Sequence, residues 1–279
     1  YPNPEISTGN NSGIHDPSII KKDGTYYRFS TGGNIAIATA PTIAGPWEYK
    51  GALLHKGTSI IVVEGQDIWA PDVSKIGDTY YAYYSVSVIG SQESQTGVAT
   101  SKTLEPGSWT DRGSLNIPKS KKYNLIDPHV FDNGDADFVY FTFGSYWQGV
   151  FQTTLPRDSL TRFPGTPLEN IISNTTTNAQ VLEGAFTYQN GGFFYVFFSA
   201  GACCNIPPNL VPPGDEYRVA VCRSTSVRGP FVDAEGKDCL TQNGGTVILG
   251  SHDDVYAPGG QGVIDDGDKG PVLFYHYVK

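Results

Sequence analysis

The sequence predicts an all-β chain folded as a five-bladed β-propeller, and three observations lead there. A unit recurs along the chain at a period of about 50 residues, which marks a propeller or an array of repeats. The 279 residues include 33 Gly, 19 Pro and 17 Tyr, and turn-forming Gly, Asp and Asn clusters fall at short intervals, as short strands and tight turns require. No stretch carries a convincing 3.6-residue apolar period. A chain of this length allows one large all-β domain or two ordinary ones, and the repeats favour a single domain over residues 1–279. Its hydrophobic share of 39%, largely aromatic and β-branched, suffices for a substantial core.

The repeats justify the blades one by one. The first runs from His15 to Phe29 and reads H-D-P-S-I-I-K-K-D-G-T-Y-Y-R-F: an acid beside a proline, an apolar strand, a turn, an aromatic strand. Trp69 to Tyr84 and Ile126 to Phe143 repeat it, Leu182 to Phe198 repeats it with Glu-Gly in place of Asp-Pro, and Gly259 to Tyr277 is a weaker fifth copy. A second signature follows in three units, at Ala38–Trp47, Ala99–Trp109 and Cys222–Phe231. In each, a strand ends in small polar residues, a Gly/Pro turn follows, and an aromatic opens an outer strand. Trp47 and Trp109 in this module read as core. The fifth unit has two recognisable strands, so the polar segment Tyr1–Gly13 is expected either to drape over the rim or to complete a blade.

Charge and composition exclude several function classes. A net charge of −9 opposes binding to nucleic acid or an anionic membrane, both of which demand clustered Lys and Arg. The longest apolar run, around Phe193–Phe198, is far short of a bilayer span. The start at Tyr1 and the absence of Met predict that an initiator and a signal peptide have been removed, hence a secreted, extracellular protein. The sequons Asn10-Asn11-Ser12 and Asn174-Thr175-Thr176 fit that compartment. Of the four cysteines, Cys222 and Cys239 are placed to bridge across a Gly229-Pro230 turn. The adjacent Cys203 and Cys204 allow either a vicinal bridge or two buried thiols.

Counting back from each aromatic strand places Asp16, Ala70, Asp127, Glu183 and Gly260 at one equivalent position. The first strand of every propeller blade lines the central channel, so Asp16, Asp127 and Glu183 are expected to share one mouth. Hydrolysis of a glycosidic bond takes two carboxyl groups in different protonation states, and a third can raise and orient the acid. Acids that merely mark strand starts would be the plainer reading for one Asp-Pro; three at one repeat position favour catalysis.

The runs His15-Asp16-Pro17-Ser18-Ile19, Trp69-Ala70-Pro71-Asp72-Val73, Ile126-Asp127-Pro128-His129-Val130 and Leu182-Glu183-Gly184-Ala185-Phe186 resemble the signatures of glycoside hydrolase family 43. Tyr83-Tyr84-Ser85-Val86-Ser87 and Gly144-Ser145-Tyr146-Trp147 are similar to its endo-1,5-α-L-arabinanase branch. The resemblance covers essentially the whole chain. It implies a secreted fungal-type enzyme, expected to be a monomer, that cleaves the arabinan side chains of pectin with inversion. Asp16 would be the general base, Glu183 the general acid and Asp127 the residue that tunes the acid. Trp69, Ser145 and Trp147 would meet the sugar, and no cofactor would be required for the chemistry.

One departure stands out. The family often carries a histidine in the last blade that helps hold a channel ion, calcium or sodium, where this chain has Gly260 in Ala257-Pro258-Gly259-Gly260-Gln261. An ion would then need another ligand, such as His252. The rival functions are an exo-acting α-L-arabinofuranosidase or β-xylosidase of the same fold, and a non-catalytic sugar-binding propeller. A lectin-type propeller would repeat its binding residues in every blade, which these acids do not.

Overall fold

The computed structural model describes residues 1–174 and 181–279, and they form a β-propeller. The first sheet holds β1 (Ser18–Lys22), β2 (Thr25–Ser30), β3 (Ala36–Ala40) and β4 (Glu48–Ala52). The second holds β5 (Asp67–Ile76), β6 (Thr79–Ser87), β7 (Gln95–Ser101) and β8 (Thr110–Ser114), and the third β9 (His129–Phe131), β10 (Phe138–Phe143), β11 (Val150–Pro156) and β12 (Glu169–Ile172). The fourth holds β13 (Leu182–Asn190), β14 (Phe193–Ala200), β15 (Arg218–Ser224) and β16 (Thr246–Leu249). Each is a meander whose strands pair in chain order. The last two strands, β17 (Tyr256–Asp265) and β18 (Pro271–Val278), pair only with each other.

The sequence expectation of five blades therefore needs a correction: four blades are complete, and the fifth repeat makes a two-stranded sheet. The physical reason lies at the N-terminus. Its backbone pairs with the first blade, Trp47 N–H donating to Thr8 O at 2.9 Å and Asn10 N–H to Trp47 O at 2.7 Å, so it adds no strand to β18. The innermost strands nevertheless touch in a closed cycle, β1 to β5 to β9 to β13 to β17 and back to β1.

The apolar mass lies between blades, where aromatic strands face one another. Phe29, Ile37 and Leu53 of the first blade pack with Tyr84, Ala99 and Trp109 of the second. Tyr83 and Val98 of the second pack with Phe141 and Phe143 of the third. Burying one such side chain stabilises by ~1.5–3 kcal/mol, and the buried Tyr83 hydroxyl donates to Leu160 O at 2.8 Å, so no polar atom is stranded there. Trp47 and Trp109 are buried, as their module predicted.

Both cysteine pairs are bridged, Cys222 to Cys239 and Cys203 to Cys204. The first expectation holds, and the vicinal alternative is the one realised. Asn10 is exposed, whereas Thr175 and Thr176 of the second sequon lie outside the described residues. No helix among the described residues is long and apolar enough to cross a membrane.

Candidate active site

At one equivalent position each innermost strand is preceded or interrupted by a residue in the left-handed region: Asp16, Ala70, Asp127, Gly184 and Gly260, with φ of 45°, 44°, 55°, 62° and 56°. Such a φ kinks the chain at the channel mouth, and a non-glycine residue held there stores local strain that the surrounding structure must stabilise. The expected equivalence of Asp16, Asp127 and Glu183 shifts by one residue here. Gly184 occupies the kink, and Glu183 lies just before it, opposite Ser199, at the level where Trp69 lies opposite Ser85. Glycine takes this φ freely and glutamate does not, so the Glu-Gly order places the kink at the second residue.

The acids still converge. A central cavity of about 470 Å³, counted with its opening, is lined by Asp16, Asp127, Tyr217, Gly260 and Gln261 among others. Glu183 is 8% exposed and sits beside Asp127, whose Oδ2 accepts the N–H of Gly184 at 3.1 Å.

Asp16 is wrapped in donors. Its Oδ2 takes the Nδ1 of His15 at 2.8 Å and the hydroxyl of Thr31 at 2.9 Å, while its backbone N–H donates to His276 Nδ1 at 3.1 Å. Burial alone would raise this carboxyl, but the charge and hydrogen bond of His15, then His276 and Thr31, outweigh it and hold it at about 2. Burial would lower His15, yet Asp16 and Glu183 raise it overall. His276, stacked on His15 with ring centroids 4.0 Å apart, is pushed down to about 4 by burial and by its neighbour's charge. One imidazole of the stack thus keeps the proton beside Asp16.

Glu183 has neutral partners. The Tyr217 hydroxyl donates to Oε1 at 2.8 Å and the Ser145 hydroxyl to Oε2. Burial raises its pKa despite both hydroxyls, and the Asp16 charge adds to the rise. Asp127 is raised well above the ordinary carboxylate value by burial, then by Glu183 and Asp16, with one backbone N–H opposing. The mouth therefore holds one firmly ionised carboxylate and two that retain their protons to higher pH.

Ser145, expected to meet the sugar, is buried on Glu183. Trp69 is half-buried one residue before the Ala70 kink, and Trp147 is 45% exposed at the rim beside Tyr146. Asp72 and His129 pair with each other, Asp72 Oδ1 lying 3.1 Å from His129 Nδ1. Sequence reasoning missed Thr31, Tyr146, Tyr217 and His276. Thr31 and His276 lie just beyond or on second strands and Tyr146 and Tyr217 on connecting loops, and the one available signal was the hydroxyl that recurs near the end of the second strand in Thr31, Ser85 and Ser199.

His252, named as an alternative ion ligand, stands among backbone carbonyls. Its ring nitrogens face Gly250 O at 2.8 Å and Pro2 O at 3.2 Å, and its ring packs on Tyr1. Among the described residues, metal-capable atoms gather at His15, Asp16 and His276, and at His15 with Cys203 and Cys204. The second set is bridged sulfur, which offers no thiolate. In the first, His15 Nδ1 and His276 Nδ1 are engaged with Asp16. Gly259 and Gly260 are required sterically: a Cβ on Gly259 would lie 2.0 Å from the Tyr217 ring, and one on Gly260 2.5 Å from His276 Nδ1. His276 fills the space beside Gly260.

A sequence profile described as glycosyl hydrolases family 43 matches residues 2–279. The chain belongs to this family. It is 49% identical, over 100% of its own length and 86% of the relative's, to a probable arabinan endo-1,5-α-L-arabinosidase A of Aspergillus flavus. It is 46% identical to the arabinan endo-1,5-α-L-arabinosidase A of Aspergillus niger, over 95% of this chain and 82% of that one. Among solved structures it resembles the Cellvibrio cellulosa α-L-arabinanase complexed with arabinohexaose, at 28% identity and a TM-score of 0.82, covering 95% of this chain and 86% of that one. The family 43 endo-arabinanase of Bacillus licheniformis superposes with a TM-score of 0.81 at 29% identity, covering 98% and 96%.

Proposed function

We propose that this family 43 enzyme hydrolyses α-1,5-linked L-arabinan internally and with inversion of configuration. The observation that carries the reading is the split between an ionised Asp16 and a proton-retaining Glu183 in one buried mouth. Asp16 takes a proton from water as the water oxygen attacks the anomeric carbon. Glu183 gives its proton to the departing glycosidic oxygen on the opposite face as the bond breaks. The products are a chain end of inverted configuration and a free hydroxyl, after which solvent restores the proton to Glu183 and removes one from Asp16. Asp127 holds the backbone beside Glu183, Ser145 and Tyr217 hold its carboxyl, and Trp69 and Trp147 wall the sugar path. The two reacting carboxyls should be about 6.5–9.5 Å apart to admit the water.

On this reading β17 and β18 count as a shortened fifth blade, because β17 closes the ring of innermost strands. The chain acts as one catalytic domain, a secreted monomer with arabinan as its partner, and the two-carboxyl chemistry requires no cofactor. Chromatography of products from linear arabinan, with proton NMR of the first-formed anomer, tests the reading. Mixed oligosaccharides of inverted configuration support it. A single small product would mean exo action, and retained configuration would refute the mechanism.

A further inference from the structure

The kinked residues carry a second pattern. Each has a backbone N–H that leaves its own sheet and crosses to the preceding one. Ala70 donates to Thr31 Oγ1 at 2.8 Å, Asp127 to Ser85 Oγ at 2.9 Å, Gly260 to Ser199 Oγ at 3.0 Å and Asp16 to His276 Nδ1 at 3.1 Å. The four acceptors occupy one position near the end of the second strand, each opposite the residue that precedes the kink. In the third blade that position is Gly144, which has no side chain, and the Gly184 N–H goes to Asp127 Oδ2 instead. The seams between blades and the acids share one hydrogen-bond ring.

Thr31 is the member of this ring that also touches Asp16. Its oxygen accepts from Ala70, so its single proton is directed to Asp16 Oδ2 at 2.9 Å. His15 loads the same oxygen at 2.8 Å. Asp16 Oδ1 has no such donor: His276 Nδ1 is 3.9 Å away. A Cβ on Gly260 would stand 2.9 Å from Oδ1 and 2.5 Å from His276 Nδ1, so only glycine fits against this oxygen, and both Asp16 and Gly260 line the central cavity.

We propose that Thr31 is a positioning residue that, with His15, saturates Asp16 Oδ2 and assigns Oδ1 as the oxygen that takes the proton from water in the cavity that Asp16 lines. This rests on Asp16 being the general base. A charge-assisted hydrogen bond that fixes a base also keeps it ionised, so its loss should lower turnover and raise the pH below which activity fails.

The test uses Thr31→Val, which keeps the shape and loses the hydroxyl, with Thr31→Ser as rescue and Thr31→Ala should valine impair folding, folding being followed by circular dichroism. On linear arabinan, the valine or alanine variant should lose about 10- to 100-fold in kcat with little change in KM. Its acidic limb of kcat/KM should move to higher pH, and serine should restore both. An unmoved limb, a wild-type kcat, or a serine variant as impaired as valine would overturn the proposal. Asp16→Asn separates the two levels: an active asparagine variant refutes the base assignment itself, whereas an inactive one beside an unperturbed Thr31→Val refutes only the role given to Thr31.

Discussion

Asp16 and Glu183 lie in one mouth, yet their surroundings differ in charge. On the first-blade side an imidazole pair and a threonine hydroxyl converge on Asp16. On the side of the third and fourth blades, Glu183 meets two neutral hydroxyls and Asp127 a single backbone N–H. Burial pushes all three carboxyls up. Only where a protonated histidine sits within hydrogen-bonding distance is that push reversed, and the result is a low value for Asp16 and raised values for the others. The fold sorts base from acid chiefly by placing a cation at one edge of the ring.

The largest effect should come from removing either member of the pair. Asp16→Asn and Glu183→Gln should each lower kcat on linear arabinan by about 10²–10⁴-fold, measured by reducing-sugar release. Equal activity in either variant would break the comparison. Next comes the cation. His15→Gln keeps a donor but not the charge, so Asp16 should ionise at higher pH and the acidic limb of kcat/KM should rise with it.

Stability should separate the two sides in sign. Asp16, whose folded value of about 2 lies below its usual 3.8, contributes stability above pH 3.8 that is lost as pH falls toward about 2. Asp16→Asn should therefore cost ~2 kcal/mol at neutral pH. Asp127 and Glu183 have raised values, so their ionisation opposes folding as pH rises, and Asp127→Asn and Glu183→Gln should raise Tm at neutral pH. Calorimetry on the three variants reads both signs. The smallest effect on catalysis belongs to a remote pair: Cys222→Ala with Cys239→Ala opens the loop between positions 17 residues apart, costing ~3 kcal/mol of stability while leaving the pH profile unchanged.

Much of this was legible in the sequence because a propeller repeats its chemistry. Aromatic second strands announced the blades, and Asp-Pro at Asp16 and Asp127 announced the mouth. The one-residue displacement of Glu183 was misread because apolar spacing does not reveal where a strand kinks; the glycine after Glu183 held that information. The fifth blade was miscounted because a sheet's completion depends on where the N-terminus pairs, a contact between Thr8 and Trp47 that no local pattern encodes. Tyr217 was missed because it reaches the mouth from the insertion before β15, outside the recurring motif, and His276 because it stands in the weakest copy, at a level where the other copies carry a hydroxyl or glycine. Their roles appear only once Gly259 and Gly260 make room for their rings.

The most direct test follows the carboxyl resonances of Asp16 and Glu183 by ¹³C NMR as pH is raised, in the intact enzyme, with Asp16→Asn and Glu183→Gln used for assignment. Asp16 should lose its proton well below the pH at which Glu183 does. Simultaneous titration, or Glu183 ionising first, would contradict the account.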